Sequence, residues 1–278
     1  MTGAAVAIGG GGGFIGRAAA GALAGAPVVA FGREGLSERT CPEVHVLIWA
    51  GGGREGGEEA LAEAHVAAPL RALAVAAARG ARRVVYVSTG EVYGLQPVPF
   101  VEDAQRLGDT PYARAKIRGE DEVRAAAARL GLEAVIVRPG VVYGPGQRPG
   151  MLIPSLLAAL RAGRRFACTP GEQTRDFIHV RDVARLLARC TERSAPAGVY
   201  NAGTGVESAV AMVVQALAWR LDRTDLVDLG ALPYRGSEVM RYVLDPARAK
   251  ERLGFVAQVA LAGGLESVAS SPEEQVGA

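Results

Sequence analysis

Two residues in the segment PYARAK carry the most specific chemistry in the chain, Tyr112 and Lys116. Spaced i and i+4, they fall on one face of a helix. A phenol with an ordinary pKa of about 10 is a poor base at neutral pH, and a close ammonium stabilises the phenolate and lowers that value. The phenolate takes a proton from a substrate hydroxyl while hydride leaves to a nicotinamide, whose ribose Lys116 also reaches. By itself the spacing is common and usually marks a surface pair. Two features separate it from that background. The only lysines are Lys116 and Lys250, so a generic positive charge here would be an arginine. The strand just upstream, VVYVSTGEVYG, ends in Ser88 and Thr89. That puts two hydroxyls at the carboxyl edge of a sheet, where open α/β folds bind ligands. A hydroxyl there hydrogen-bonds the oxygen that Tyr112 deprotonates; turn or helix capping is the plain competing reading.

A second group of residues suits a pyrophosphate. Gly10, Gly13 and Gly16 are spaced three apart between an apolar run and an Ala-rich run. The first glycine allows a tight turn, the second lets the pyrophosphate approach the backbone, and the third lets helix and strand pack closely. Free N–H groups and the helix dipole then hold the anion. In a chain with 37 glycines the pattern is weak by itself, but the apolar Phe14 and Ile15 inside it fit a flexible linker poorly. At the end of the second apolar run an acid would bind the adenosine ribose 2′-hydroxyl. Gly32 stands there instead, followed by Arg33. No carboxylate opposes a 2′-phosphate, and a guanidinium is at hand to bind one. The expected cofactor is therefore NADP, with NAD as the alternative; a solvated Arg33 is the competing reading.

The elements that must hold these residues alternate in type. Apolar runs at 4–8, 27–31, 44–50, 83–88 and 134–138 have the length of strands. Runs rich in Ala and Leu at 14–24, 58–79 and 110–130 have the length of helices, the last two closed by Gly80 and Gly131. This alternation predicts an α/β protein with a Rossmann-type doubly wound parallel sheet. Beyond Pro139 the pattern loosens into a Gly/Pro-rich loop at 144–150, helices near 153–162 and 180–192, and a strand at 199–201. We expect an NAD(P)-binding domain over 1–139 with parts of 176–202. A small C-terminal substrate-binding lobe is expected over 140–175 and 203–270, and the tail from Ser270 should fray.

The bulk properties bound the possibilities. The 278 residues, 49% of them hydrophobic, suffice for one large α/β domain with a small lobe. A net charge of +2 gives no electrostatic case for nucleic acid or membrane binding. The N-terminus lacks the basic region of a signal peptide, and no run of about 18 apolar residues is available to span a membrane. Cys41, Cys168 and Cys190 fit free thiols in a reducing compartment. Neither they nor the dispersed His45, His65 and His179 have metal-site spacing. The expectation is a soluble, cytoplasmic, metal-free protein.

With these residues in place, the chain resembles the extended short-chain dehydrogenase/reductase family, in particular its nucleotide-sugar epimerase/dehydratase branch. The resemblance covers nearly the whole chain. It rests on GGGGFIG (10–16), VSTGEVYG (87–94), YARAK (112–116), VRPGVVYGPGQ (137–147) and TRDFIHVRDVA (174–184), with VYNAGTG (199–205) and EVMRYVLDPARAKERLGF (238–255) as C-terminal signatures. It implies that Thr89, Tyr112 and Lys116 are the catalytic Thr, Tyr and Lys. It implies cofactor contacts from Gly10, Gly13, Phe14, Ile15, Gly32, Arg33, Ala50, Gly51, Ser88, Tyr112, Lys116 and Pro139. Arg175 and Arg241 match arginines that hold the substrate's diphosphate, which suits bidentate guanidinium chemistry. Ion pairing with Asp176, Glu238 or Asp245 is the competing reading for both.

The chain departs from the family pattern twice. Only a few residues separate the second strand from the run at 44–50, where members fit another strand, a helix and an adenine-binding Asp. A sheet shortened at one edge, with a less enclosed adenine pocket, follows. The 4,6-dehydratases carry Asp then Glu after the catalytic Thr, and here Gly90 and Glu91 follow Thr89. Glu91 remains as a base toward a ring carbon and a substrate contact, but the missing acid argues against full dehydratase chemistry. The first expectation is therefore an NAD(P)-dependent epimerase acting on a nucleotide sugar through a 4-keto intermediate. An NADPH-dependent keto-sugar reductase comes second, a dehydratase or decarboxylase using Glu91 third, and a non-catalytic NADP-binding regulator last. The long helices at 58–79 and 110–130 suit a homodimer's helical bundle, although packing on the protein's own sheet accounts for much of the same apolar surface.

Overall fold

The alternating runs fold into a doubly wound sheet in the computed structural model, which describes residues 5–23, 25–32, 35–39, 41–236 and 238–272. The first half runs β1 (Ala5–Gly9), α1 (Phe14–Ala22), β2 (Val28–Phe31), β3 (Val44–Trp49), α2 (Glu58–Ala62), α3 (Ala68–Ala78), β4 (Arg83–Val87), α4 (Pro111–Arg129) and β5 (Glu133–Pro139). The second half runs β6 (Val141–Tyr143), α5 (Leu152–Arg161), β7 (Phe166–Cys168), β8 (Thr174–His179), α6 (Val180–Thr191), β9 (Gly198–Ala202), β10 (Glu207–Ala209), α7 (Val210–Arg220), β11 (Val227–Leu229), α8 (Ala247–Leu253) and α9 (Leu261–Ala269).

Six parallel strands pair in the order β2-β1-β3-β4-β5-β9. Both faces of the sheet are buried. Ile8, Ile48, Val85 and Val137 pack with α1 and α6 on one side. Leu47, Tyr86 and Ile136 pack with Leu73, Ala76 and Val123 of α3 and α4 on the other. Burial on both faces is why these strands read as continuous apolar runs. At one edge β2 pairs with β1 alone, and Ala30 is exposed there. This is the shortened edge expected from the few residues between β2 and β3.

A π-turn at Glu63–Ala67 joins α2 to α3, so that 58–78 is one continuous helix. It is the one helix among the described residues long and apolar enough to cross a membrane. Its Leu61, Val66, Leu73 and Ala76 are buried inside the protein.

The remaining elements form a three-stranded sheet (β10-β8-β6) and a β11-β7 pair. Their core gathers Tyr143, Leu156, Phe177, Val213 and Leu265. Residues 203–270 do not all join it: Ala249 of α8 and Phe255 pack with Tyr200 and Leu186 in the core beneath the main sheet.

Candidate active site

Helix α4 starts on Thr110, whose side chain accepts a hydrogen bond from the Ala113 N–H at 3.1 Å, with Pro111 in the first turn. Both features favour a helix start, and they fix the phase that puts Tyr112 and Lys116 on one face. The Lys116 Nζ is buried and donates to the Val87 carbonyl at 2.8 Å. It lies 5.9 Å from the Tyr112 ring centroid. Thr89 follows β4 directly and caps a 3-10 turn, its hydroxyl accepting from the Glu91 N–H at 3.2 Å. The same side chain lies by the Tyr112 phenol and favours its ionisation. Thr89, Tyr112 and Lys116 thus converge at the carboxyl end of β4.

One turn beyond Lys116, Glu120 is fully buried. It accepts from Ser88 Oγ at 2.5 Å and from Arg138 at 2.9 and 2.6 Å. The Ser88 hydroxyl is therefore engaged behind the site rather than displayed at the sheet edge.

Two further groups contact the Tyr112 ring, neither of them expected there from the sequence. The Arg54 guanidinium stands 5.0 Å from its centroid, and the His65 ring meets it edge-on at 5.3 Å. His65 Nε2 is 2.8 Å from the Gly53 carbonyl, while its buried Nδ1 has no partner. Burial, followed by the Lys116 charge, pulls the His65 pKa down to about 3, against the Gly53 hydrogen bond. Burial pulls Lys116 down to about 7, against the attraction of Glu120. Burial, and then the Glu91 carboxylate, hold the Tyr112 phenol well above its usual range; Arg54 and the Thr89 side chain act the other way. Two cations stand over the phenol ring, the expected Lys116 at 5.9 Å and Arg54 closer at 5.0 Å. The ammonium is anchored on the Val87 carbonyl.

Across the sheet's carboxyl edge, the Gly10 and Gly11 N–H groups donate to the Phe31 carbonyl at 2.9 and 3.1 Å, and Gly13 turns back onto Gly10 at 2.9 Å. Gly10 has φ +73°, where glycine is favoured. A Cβ on Gly16 would fall 2.1 Å from the Gly10 carbonyl oxygen, and one on Gly10 would fall 2.5 Å from the Gly51 Cα. No side chain caps α1, whose first turn carries Phe14 and Ile15. The Ala50 N–H donates to the Gly9 carbonyl at 2.9 Å, so the loop at Ala50 and Gly51 abuts the glycine turn. Pro139 is buried at the end of β5, paired with Ala202. An uncapped helix N-terminus behind a turn with no room for a Cβ at Gly10 or Gly16 fits a dinucleotide pyrophosphate. Gly32 is exposed at the end of β2, and Arg33 lies outside the described residues.

The remaining expected residues are tied up. Both Glu91 carboxylate oxygens are held by Arg54, one at 3.0 Å and the other more closely. Arg175 pairs with Glu238, one of the partners weighed above, and donates to the Val239 carbonyl at 2.6 Å. Arg241 pairs with Glu207 at 2.6 and 3.0 Å, an acid not among those weighed. Asp176 instead accepts from the N–H groups of Thr204 and Gly205. At Gly90 a Cβ would lie 2.2 Å from the Tyr242 hydroxyl, so Tyr242 occupies the space of the missing acid. Arg54 was hidden in a glycine-rich run, His65 in a helix with no local signal of a π-turn, and Tyr242 lies 152 positions from Gly90 in the numbering.

The sequence model of the NAD dependent epimerase/dehydratase family matches residues 38–203, more than half of the chain. The UDP-glucose 4-epimerase of Mycolicibacterium smegmatis is 33% identical over 210 residues, 73% of this chain and 66% of that protein. The dTDP-glucose 4,6-dehydratase of Streptomyces griseus is 31% identical over 202 residues, 69% of this chain and 59% of that protein. The chain thus spans less than two thirds of the length of these curated relatives. Among solved structures, MoeE5 in complex with UDP-glucose and NAD superposes with a TM-score of 0.87 at 29% identity, over 95% of this chain and 97% of that one. MoeE5 has also been solved with UDP-glucuronic acid and NAD. The parallel sheet with its flanking helices agrees with these likenesses, and the chain belongs to the NAD dependent epimerase/dehydratase family.

Proposed function

We propose that the chain is an epimerase of nucleotide-activated sugars that works through a 4-keto intermediate and regenerates its cofactor in each cycle. The observation that carries the reading is the convergence of Thr89, Tyr112 and Lys116 at the carboxyl edge of β4, beside a glycine turn suited to a dinucleotide. Thr89 hydrogen-bonds the sugar C4 oxygen, and Tyr112 removes its proton. A bound nicotinamide dinucleotide supplies the hydride acceptor and donor. Lys116 and Arg54 supply positive charge to the phenolate, the first from the ribose side and the second over the ring. The relatives' names, an epimerase and dehydratases, support nucleotide sugars as the substrate class.

The Arg54–Glu91 pair favours epimerase over dehydratase chemistry, because a carboxylate held bidentately is a weakened base. Arg175 and Arg241 are proposed to turn from Glu238 and Glu207 to the substrate diphosphate. For the cofactor we propose NADP over NAD, since Gly32 opposes no 2′-phosphate. The relatives with bound NAD make NAD the reading to beat. A cytoplasmic homodimer completes the proposal, in keeping with three buried free cysteines.

A panel of C4-epimeric nucleotide-sugar pairs, incubated with the protein and each dinucleotide in turn, tests this. Interconversion of one pair without net reduction of the cofactor supports it. Stoichiometric NADPH consumption with keto-sugar nucleotides would move the assignment to a reductase.

A further inference from the structure

The Arg54–Glu91 pair has a placement that surface ion pairs lack. Arg54 sits over the ring that meets the sugar C4 oxygen, at 5.0 Å from its centroid. Its side chain stays 45% exposed, so a ligand has access to it. Glu91 lies two residues past Thr89, and between them Gly90 leaves room for the Tyr242 hydroxyl. Tyr242 is only 7% exposed. The Arg54 guanidinium and the Tyr242 phenol therefore both stand against the Gly90–Glu91 segment next to Thr89, and the guanidinium's present partner is the protein's own carboxylate.

Taking the C4 oxidation proposed above as given, the carbons adjacent to C4 are C3 and C5. Of these, C5 carries the exocyclic carbon of a hexose. In a hexuronic acid that carbon is a carboxylate, the group for which a guanidinium fork and an added hydroxyl donor are matched. We propose that Arg54 and Tyr242 form a carboxylate subsite at C5, occupied by Glu91 in the free protein, and that the chain selects nucleoside diphosphate hexuronates over neutral hexoses. Substrate carboxylate and Glu91 then compete for Arg54.

Competition gives an unusual signature, because removing the acid should help an acid bind. The test is equilibrium binding of UDP-glucuronic acid and UDP-glucose to the dinucleotide-saturated protein, read as the ratio of the two affinities. Arg54→Met should lower the acid-to-neutral ratio by about 10- to 100-fold, the range of a charged hydrogen-bonded contact. Arg54→Lys should lose only part of it. Glu91→Gln should raise the ratio several-fold, and Tyr242→Phe should lower it modestly. Should Arg54→Met fail to fold, Glu91→Gln alone decides. A ratio unmoved by Arg54→Met, or lowered by Glu91→Gln, overturns the inference. Because the readout is binding, absence of epimerisation with the ratio behaving as stated would strike the epimerase reading and leave the carboxylate subsite standing.

Discussion

Tyr112 is surrounded by groups that pull its acidity in opposite directions. Burial and Glu91 keep the phenol protonated, while Arg54 and Thr89 ease its ionisation. Tyr112→Phe leaves the ring contacts in place and removes only the proton acceptor. Turnover should fall by about 10²- to 10⁴-fold with little change in thermal stability, measured by initial rates and melting on the same preparation. Lys116 makes a separate, thermodynamic prediction. Its pKa falls to about 7 from 10.5, so between those values the unfolded chain binds more protons than the folded one. Stability therefore rises with pH across that window and is lost as pH falls toward 7. Denaturant unfolding of the ligand-free protein at pH 7 and pH 9.5 should show the wild type gaining on Lys116→Met, at up to about 1.4 kcal/mol per pH unit. At this scale Tyr112, Lys116 and Thr89 were legible because their types and spacings state a chemistry. Arg54 and His65 were not. They reach Tyr112 from 58 and 47 positions away in the numbering, through a glycine loop and a π-turn that carry no local sequence signal.

Turns and network contacts set the site at the level of the elements. The glycine turn ahead of α1 depends on two close backbone approaches, and that ahead of Gly16 is the tighter. Gly16→Ala places a Cβ 2.1 Å from the Gly10 carbonyl oxygen. The turn must shift, and dinucleotide affinity should drop by about tenfold or more, equivalent to roughly 1.4 kcal/mol. Titration by fluorescence would follow it; unchanged affinity would mean the turn does not hold the pyrophosphate. Behind the site, Glu120 and Arg138 form a buried pair that braces α4 against β5 and collects the Ser88 hydroxyl. Arg138→Met strands the Glu120 carboxylate, although Arg106 approaches it at 3.4 Å. It should cost about 3–5 kcal/mol in denaturant unfolding, as breaking a buried pair does. The strands and main helices were legible as apolar runs because the sheet is covered on both faces. The short strands outside the main sheet were not, since three-residue pieces such as β6, β7 and β10 leave no periodicity to read.

The whole molecule combines an ordinary carboxyl-edge site with a sheet that ends early at β2. Family membership was readable from ordered motifs spread along the chain, while substrate preference was not, because it depends on which distant side chains meet at Gly90. The central claim is that hydride leaves C4 and returns to C4 within one binding event. The most direct measurement follows a nucleotide sugar carrying deuterium at C4 through one round of epimerisation, with the product examined by NMR and mass spectrometry. The account predicts a C4 epimer that keeps the deuterium at C4, formed without accumulation of reduced cofactor and strongly slowed in Tyr112→Phe. Loss of the label to solvent, or its transfer to free cofactor without return, would contradict it.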